Sequence, residues 1–401
     1  MYSSNVLPLD SFEPFDASRD ADFFGVLPSR PGVVRIEMRG PGRPYLTRTA
    51  DIRRAAQRLL GVPEENSKRL NLRDQAARIL CRATGSKFEQ TLTLYKQARE
   101  FLPDRYRELL RLRPPVVLKI NLRNAYPRCH VTRRIRADEG FYFGPFASRR
   151  SAEAFSEGFL DLFKMRRCQI KIRRDPNFPG CIYSEMKMCL APCFAGCTKE
   201  EYDAEAAQVV QTLDTAGGAL TAKFERERES ASEALDFERA AALHKRLEKA
   251  AAALRGLPEL ARRIDELDAV ILQRGNDEKT IAVFPLIGGV LAEPIFLNFA
   301  ELSSQPRSVE AILRQALEPQ AAAQACESKE SVATDLRGRY GLHTAPAELS
   351  EHLSLVARWF YSKPRDGEIL FRGDGWPYRR ILRACSRLLA PAASSPEPPG
   401  S

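Results

Sequence analysis

Four cysteines lie close together in a chain that has nine cysteines among 401 residues. Cys168, Cys181, Cys189 and Cys193 fall within 26 residues, with twelve, seven and three residues between neighbours. Thiolates are soft ligands, and four of them can close a tetrahedral zinc site or hold a [4Fe–4S] cluster. Zinc sites more often pair their cysteines at short spacing, so the wide first gap favours iron–sulfur and leaves zinc as the alternative. Cys197 is a fifth candidate ligand, and reduced thiols without any metal are the simpler interpretation.

Composition limits the class of protein that carries these cysteines. The net charge of +10 favours a polyanionic partner, although many basic proteins bind nothing acidic. The chain has no run of about 18 apolar residues that could span a membrane and no basic-then-apolar secretion signal. An odd cysteine count also argues against a secreted disulfide framework. These observations predict a cytoplasmic protein of two or three domains that does not bind membranes.

The first 113 residues show the elements of a small mixed domain. The apolar run Gly32–Met38 predicts a strand, the Gly/Pro turn at 40–44 makes it a hairpin, and Tyr45 opens the second strand. Asp51 is a candidate N-cap for a basic helix that ends at Gly61. We predict a loose lead-in over residues 1–25 and helices over residues 70–112, with an interruption at Pro103.

The rest of the chain alternates between strand and helix patterns. Strands are predicted at 115–121, 128–134 and 141–146, with a helix near 150–164 before the cysteine segment. Residues 201–255 are strongly helical, and 266–300 return to strands around a Gly288–Gly289 hairpin turn. Further helices are predicted at 308–317 and 346–361, and the Pro/Ser-rich end from about residue 391 is predicted to be disordered.

The second half of the 201–255 region carries a one-sided apolar stripe. Asp236 is a plausible N-cap for this helix, after a break at Leu235–Asp236. Two helices alone cannot fully bury such stripes, so a partner helix pair is one interpretation and an intramolecular hairpin is the other. The stripe consists of Ala240, Leu243, Leu247, Ala250 and Leu254.

In this order, the segments resemble the N-terminal half of the bacterial UvrC excinuclease family, whose members make the incisions of nucleotide excision repair. PGVVRIE with PYLTRTADIRRAAQRLL resembles the GIY-YIG nuclease hairpin and helix, and FYFGPFASRRSAEAF resembles the YFGP segment. The cysteine spacing resembles the family's iron–sulfur loop, and ALDFERAAALHKRLEKAAA resembles the UVR motif. In length the chain is closer to the one-nuclease Cho type of the family.

The resemblance implies an α+β multidomain protein, here without the ribonuclease-H-like nuclease and the helix–hairpin–helix motifs of the full-length family. It also implies a [4Fe–4S] cluster, duplex DNA as a ligand, and docking on UvrB through the UVR motif. The predicted divisions are an N-terminal lead-in (1–25), a GIY-YIG-like nuclease domain (26–113), a strand region with the Cys-rich cluster-binding segment (114–200), the UVR helical hairpin (201–258), a C-terminal α/β region (259–388) and a disordered tail (389–401).

The resemblance assigns catalytic positions in the nuclease-like domain, and three of them hold aliphatic residues. Val34 stands where the family has its first tyrosine, Ala55 where it has an arginine, and Leu94 where it has the metal-binding glutamate. Hydrolysis of this kind requires a base, an oxygen ligand for Mg²⁺ or Mn²⁺, and a cation for the developing charge. Aliphatic side chains supply none of these, so the resemblance predicts a degraded site.

Residual catalytic candidates remain beside these positions. Tyr45 matches the family's second tyrosine, Arg48 replaces a lysine, and Arg54 lies one residue from the arginine position, about 100° away around the helix. Cutting would require Glu89 or Glu100 to supply the missing metal ligand. Four further arginines of this domain are DNA-contact candidates, and DNA binding through them should depend strongly on salt: Arg35, Arg43, Arg53 and Arg58.

Three functional hypotheses follow. The first is a catalytically degraded UvrC-like protein that binds DNA and UvrB, the latter through Phe237, Ala240, Leu243 and Leu247. The second is an active Cho-like endonuclease that makes a single metal-dependent incision at damaged DNA. The third is an iron–sulfur sensor without contact to the repair subunits.

Overall fold

The computed structural model describes residues 9–63, 68–138, 140–300, 308–318 and 345–390. The described residues form three sheets and the helices around them, which is an α+β architecture. None of the described helices is long and apolar enough to cross a membrane.

The N-terminal sheet is antiparallel, with the strand order β1-β4-β2-β3. Helix α2 packs on one face and α3 on the other, because alternate residues of β2 enter two different hydrophobic clusters. The strands are β1 (Asp10–Pro14), β2 (Gly32–Met38), β3 (Tyr45–Thr49) and β4 (Ala76–Ala83), and the helices are α1 (Asp20–Val26), α2 (Ile52–Leu60), α3 (Lys87–Phe101) and α4 (Tyr106–Leu109).

Two features of this region differ from the prediction. Residues 76–83 were expected to be helical, since Ala, Arg and Leu are good helix formers. They form β4 instead, because Ile79 and Cys81 pack against the α2 side of the sheet while β1 and β2 satisfy the backbone of β4. The expected loose lead-in of residues 1–25 also contains regular structure, in β1 and α1. The predicted hairpin, and the α2 helix capped by Asp51, are confirmed.

The middle region contains a sheet of order β6-β5-β7-β8 and four longer helices. The β5–β7 strands, α5 and the α7–α9 helices share one hydrophobic cluster. The strands are β5 (Val116–Ile120), β6 (Cys129–Thr132), β7 (Phe141–Phe146) and β8 (Arg262–Arg263), and the helices are α5 (Arg149–Leu160), α6 (Ile182–Glu185), α7 (Lys199–Asp214), α8 (Gly218–Glu233) and α9 (Phe237–Leu254).

The predicted break in the long helical region is confirmed. Leu235 adopts a left-handed backbone with φ of 58°, and the Asp236 side chain accepts a hydrogen bond from the Arg239 backbone N–H. Asp236 therefore caps α9, and α8 and α9 pack against each other as a hairpin.

The C-terminal sheet has the order β11-β10-β9-β13, with β12 also pairing with β10. The predicted hairpin turn is confirmed, because Gly288 and Gly289 both have positive φ angles, of 53° and 78°. The strands are β9 (Ala269–Arg274), β10 (Thr280–Ile287), β11 (Val290–Leu291), β12 (Ile295–Asn298) and β13 (Glu368–Phe371), and the helices are α10 (Val309–Leu317), α11 (Pro346–Phe360) and α12 (Tyr378–Leu389). The predicted tail beyond residue 390 lies outside the described residues.

Helix α3 joins the first and last regions. Phe88 packs edge-on against Phe284 of β10, with ring centroids 5.1 Å apart, and its ring centroid lies 5.6 Å from that of Trp359 of α11. The Tyr95 hydroxyl donates a hydrogen bond to Glu351 of α11. Both long sides of α3 are therefore covered, one by the N-terminal sheet and the other by the C-terminal region.

Candidate functional site

The two best residual catalytic candidates lie on opposite faces of the N-terminal sheet. Tyr45 pairs with Ile36 and packs into the cluster under α2, whereas Arg48 pairs with Val33, which belongs to the cluster under α3. The Arg48 guanidinium is 3.4 Å from the Thr91 hydroxyl of α3. Because side chains alternate along a strand, the phenol and the guanidinium do not converge on one phosphate.

The three aliphatic positions are all buried. Val34 is 0% exposed under α2, and Ala55 and Leu94 are each 4% exposed. Arg54, the neighbouring cation on α2, points into solvent with its side chain 86% exposed. The positions that the resemblance assigns to catalysis are therefore divided between two hydrophobic clusters and the surface.

Glu89, one possible substitute metal ligand, is enclosed. Its side chain is 1% exposed, accepts a hydrogen bond from the Gly85 N–H and lies 3.6 Å from the Arg82 guanidinium. Burial raises the pKa of the Glu89 carboxyl, and the hydrogen bond from Gly85 and the charge of Arg82 partly oppose that rise. Glu100, the other possible ligand, is exposed near the end of α3.

The four predicted DNA-contact arginines have different environments. Arg35 is buried, donates to Gln97 and pairs with Glu37, so it holds α3 to the sheet. The others lie nearer the surface: Arg43 pairs with Asp104 at 2.8 Å, Arg53 donates to the carbonyls of Leu27 and Gly25, and Arg58 is exposed on α2 one turn after Arg54. Their contact with DNA remains a prediction.

A basic cleft of about 870 Å³ opens on the α3 face of the N-terminal sheet. Arg48 and Leu94, two of the positions that the family resemblance assigns to catalysis, line it. Its other walls come from the 109–116 segment, from Arg133 just after β6, from the end of β7 and the residues that follow it, and from α11. No carboxylate lines it among the described residues, whereas five arginines do: Arg48, Arg111, Arg113, Arg133 and Arg358.

Arg133 and Arg358 form hydrogen bonds to the 109–116 segment, which carries Arg111 and Arg113. Arg358 donates to the carbonyl oxygens of Leu110 and Arg111 at 2.9 and 2.8 Å, and Arg133 donates to that of Pro114 at 2.8 Å. Burial lowers the pKa of Arg358, and repulsion from Arg48 and Arg113 lowers it further. We did not predict this cleft, since its arginines come from segments far apart in sequence; only the basic local runs around 111–113 and 133–136 hinted at it.

The candidate metal ligands are held in a loop between α5 and α7. Cys181 precedes α6, and Cys193 sits in a short 3-10 turn bounded by Ala191 and Ala195, both of which have left-handed backbones. Arg166 is buried beside the loop, and its guanidinium donates to the Cys168 carbonyl at 3.0 Å and lies 3.7 Å from the Cys168 sulfur.

The pKa of Cys189 depends on burial and on the other three thiols. Burial raises the pKa of Cys189 to about 11, a hydrogen bond from the Ala191 N–H at 3.3 Å opposes the rise, and the thiols of Cys168, Cys193 and Cys181 add to it. Their chemistry suits a cluster or zinc. Across the described ranges, however, no three His, Cys, Asp or Glu side chains are arranged so that they could hold one metal ion.

The apolar stripe of α9 faces its own molecule. Leu243 and Ala250 are buried in the cluster of the middle region, and Ala240 and Leu247 pack against it. At the tip of the α8–α9 hairpin, Phe237 is 68% exposed. Of the four predicted partner-binding residues, Phe237 alone presents most of its surface to solvent.

Comparison with known proteins identifies the middle region. Residues 116–212 match the family model for the UvrC/Cho excinuclease middle domain, which covers β5 through most of α7 and includes the cysteine loop. No solved structure matches the chain.

Curated relatives match over longer stretches. UvrABC system protein C of Nitratidesulfovibrio vulgaris is 31% identical over 183 residues, which is 46% of this chain and 25% of the relative. The proteins of that name from Desulfatibacillum aliphaticivorans and Idiomarina loihiensis are each 29% identical, over 49% and 65% of this chain and 33% and 42% of their own lengths. The chain thus spans less than half the length of these relatives. The chain is therefore similar to the UvrC family, over its middle region in the family model and over up to 65% of its length in these relatives.

Proposed function

We propose that this chain is a DNA-binding protein of nucleotide excision repair whose nuclease-like domain binds the DNA backbone without cleaving it. The observation that carries the proposal is the pairing of Leu94 with Arg48 in one cleft. A phosphate could be held there by guanidinium groups, but Leu94 cannot hold the divalent ion that would activate water.

The divided catalytic positions support the same conclusion. A tyrosine acting on a phosphodiester must reach the same phosphate as the cation that stabilises it. Tyr45 and Arg48 are on opposite faces of the sheet, and Glu89 is already bound to Arg82 and Gly85. The active Cho-like alternative would therefore require rearrangement of both the sheet and the start of α3.

We further propose that the cysteine loop holds a [4Fe–4S] cluster, with zinc as the alternative metal, and that the α8–α9 hairpin docks on UvrB. Cys168, Cys181, Cys189 and Cys193 would hold the cluster, and this would require the loop to arrange their side chains differently from the structure described here. Bound, it would brace a loop that otherwise has little regular structure, so loading and folding of this segment would be coupled.

A nicking assay tests the central proposal. The full chain is incubated with UvrA, UvrB and a lesion-bearing duplex in Mg²⁺ or Mn²⁺, and a UvrABC system protein C from a relative serves as the positive control. We expect the relative to cut and this chain to bind DNA without nicking it. Metal-dependent nicking by this chain that disappears in Tyr45→Phe would establish the endonuclease hypothesis instead.

A further inference from the structure

We infer that the five-arginine cleft is a binding site for the phosphodiester backbone of a single nucleic-acid strand. This site rests on the proposed function and specifies its ligand as a single strand, held jointly by the N-terminal sheet, the 109–116 segment and α11. The charge of the cleft, its size and the roles of its individual arginines each support the assignment.

The charge of the cleft requires an anion. Arginine carries its proton at every physiological pH, and none of the five forms an ion pair with a carboxylate in the part of the chain that the structure describes. Like charges enclosed together repel one another, so a bound polyanion would remove an unfavourable interaction as well as form new hydrogen bonds. Ser148, the N-cap of α5, also lines the cleft, and the helix dipole adds positive potential there.

The arginines divide into supporting and available groups. Arg133 and Arg358 use their guanidinium groups on the carbonyls of the 109–116 segment. That segment presents Arg111 and Arg113, whose side chains form no hydrogen bond with the described residues, and Arg48 faces them from β3. Three guanidinium groups on two walls can contact successive phosphates, and each can bind two phosphate oxygens at once.

The size of the cleft favours one strand over a duplex. Sites that enclose a small-molecule-sized group are typically about 300–1,000 Å³, and this cleft of about 870 Å³ falls in that range. A wound duplex presents its phosphates on a convex surface that cannot enter such a space. A strand end or an unwound segment can do so, and its backbone carries one charge per nucleotide.

The test measures binding of the full-length chain to a fluorescent oligothymidylate of about ten nucleotides, within the range of single-strand site sizes. Arg48→Gln and Arg113→Gln remove one available guanidinium from each wall. Arg379→Gln and Arg383→Gln remove the same charge from exposed positions on α12 and serve as the matched control. Thermal melting of each variant establishes that it is folded.

We expect each cleft substitution to weaken strand binding about fivefold at about 0.1 M salt and to reduce the salt slope by about 0.7, while the control pair changes little. The loss for a blunt duplex should be smaller than for the strand. Equal losses in the cleft and control variants, or no loss in either, would overturn the inference. So would an equal loss for strand and duplex, whereas nicking by the unmodified chain would contradict only the proposed function.

Discussion

Individual side chains of the cysteine loop determine whether it can fold around a metal. Burial raises the pKa of Cys189 most, and the thiols of Cys168, Cys193 and Cys181 raise it further. Buried Arg166 supplies a positive charge next to Cys168 and ties the loop to the Tyr126 carbonyl with a 2.8 Å hydrogen bond.

Replacement of Cys189 by serine tests the proposed cluster. We expect the unmodified chain to contain iron and acid-labile sulfide and to absorb visible light. Cys189→Ser should lose most of the iron, the sulfide and the absorbance, because one of four ligands is missing. Elemental analysis and absorbance spectroscopy provide the measurement. Cys385→Ser is the control, since Cys385 is buried in a separate core under the C-terminal sheet. Zinc in place of iron would identify the alternative metal, and a metal-free chain would contradict the cluster proposal.

For individual residues, the sequence predicted the cysteine loop as a site but gave no prediction of the cleft. The four cysteines are close in sequence, so their spacing alone was informative. Arg48, Arg113 and Arg358 are brought together only by packing of β3, the 109–116 segment and α11. The buried position of Arg35 and its hydrogen bond to Gln97 likewise depend on packing of α3 against the sheet, which a local sequence pattern does not reveal.

Among the secondary-structure elements, α9 carries both residues that stabilise the fold and a residue that we propose binds a partner. Its buried stripe supports the middle region, and its first residue, Phe237, projects from the hairpin tip. The adjacent Leu235 is 71% exposed, so two large apolar side chains share this tip. Exposed apolar groups of this kind are typical anchors for a partner helix pair.

Two substitutions on α9 should therefore have opposite effects. Leu243→Ala should lower the free energy of unfolding by about 2–5 kcal/mol, because it leaves a cavity in a packed core. Phe237→Glu should change the free energy of unfolding by less than about 0.5 kcal/mol yet weaken UvrB binding at least tenfold. Denaturant titration and a UvrB binding assay measure the two quantities. Undiminished UvrB binding by Phe237→Glu would exclude this residue as an anchor.

Element prediction failed where tertiary pairing outweighed local preference. The hairpins and α9 carry strong turn and cap signals, and those predictions were confirmed. The β4 segment, AARILCRA, consists largely of residues that favour helices and has no turn signal of its own. It becomes a strand because β1 and β2 offer hydrogen-bonding partners on both sides, which a local pattern does not reveal.

At the scale of the molecule, α11 contacts the end of the N-terminal region through Glu351. Glu351 accepts hydrogen bonds from the hydroxyls of Tyr95 and Tyr106, each at 2.8 Å, and from Arg107. The neighbouring His352 is 4% exposed, and its Nδ1 accepts a hydrogen bond from the Leu291 backbone N–H at 3.2 Å. This junction links the first region to the C-terminal sheet and forms one wall of the cleft.

Acidification should loosen this junction through His352. Burial lowers the pKa of His352 to about 4, from 6.5, so the folded state favours the neutral ring. As the pH falls below 6.5, the unfolded state binds a proton at His352 and the folded state does not. Stability is therefore lost until the pH reaches about 4. Between pH 7 and pH 5 the loss should be about 2 kcal/mol.

Denaturant titrations of the unmodified chain and of His352→Gln at both pH values measure this contribution. The glutamine oxygen can still accept from Leu291 but does not titrate, so the variant should show a smaller loss between the two pH values. The comparison cancels other groups, including Asp214, whose pKa burial raises to about 6 and whose effect has the opposite sign. Identical pH dependence in both proteins would show that His352 does not contribute.

Because both long sides of α3 are covered, the N-terminal region cannot be separated from the C-terminal region without exposing part of the core. A fragment that ends near residue 113 would keep the sheet side of α3 but uncover the aromatic and aliphatic side chains that now meet β10 and α11. Such a fragment would be prone to self-association, so its first hundred residues are not a transplantable module. Chimeras with relatives should exchange α11 and its sheet together with the N-terminal segment.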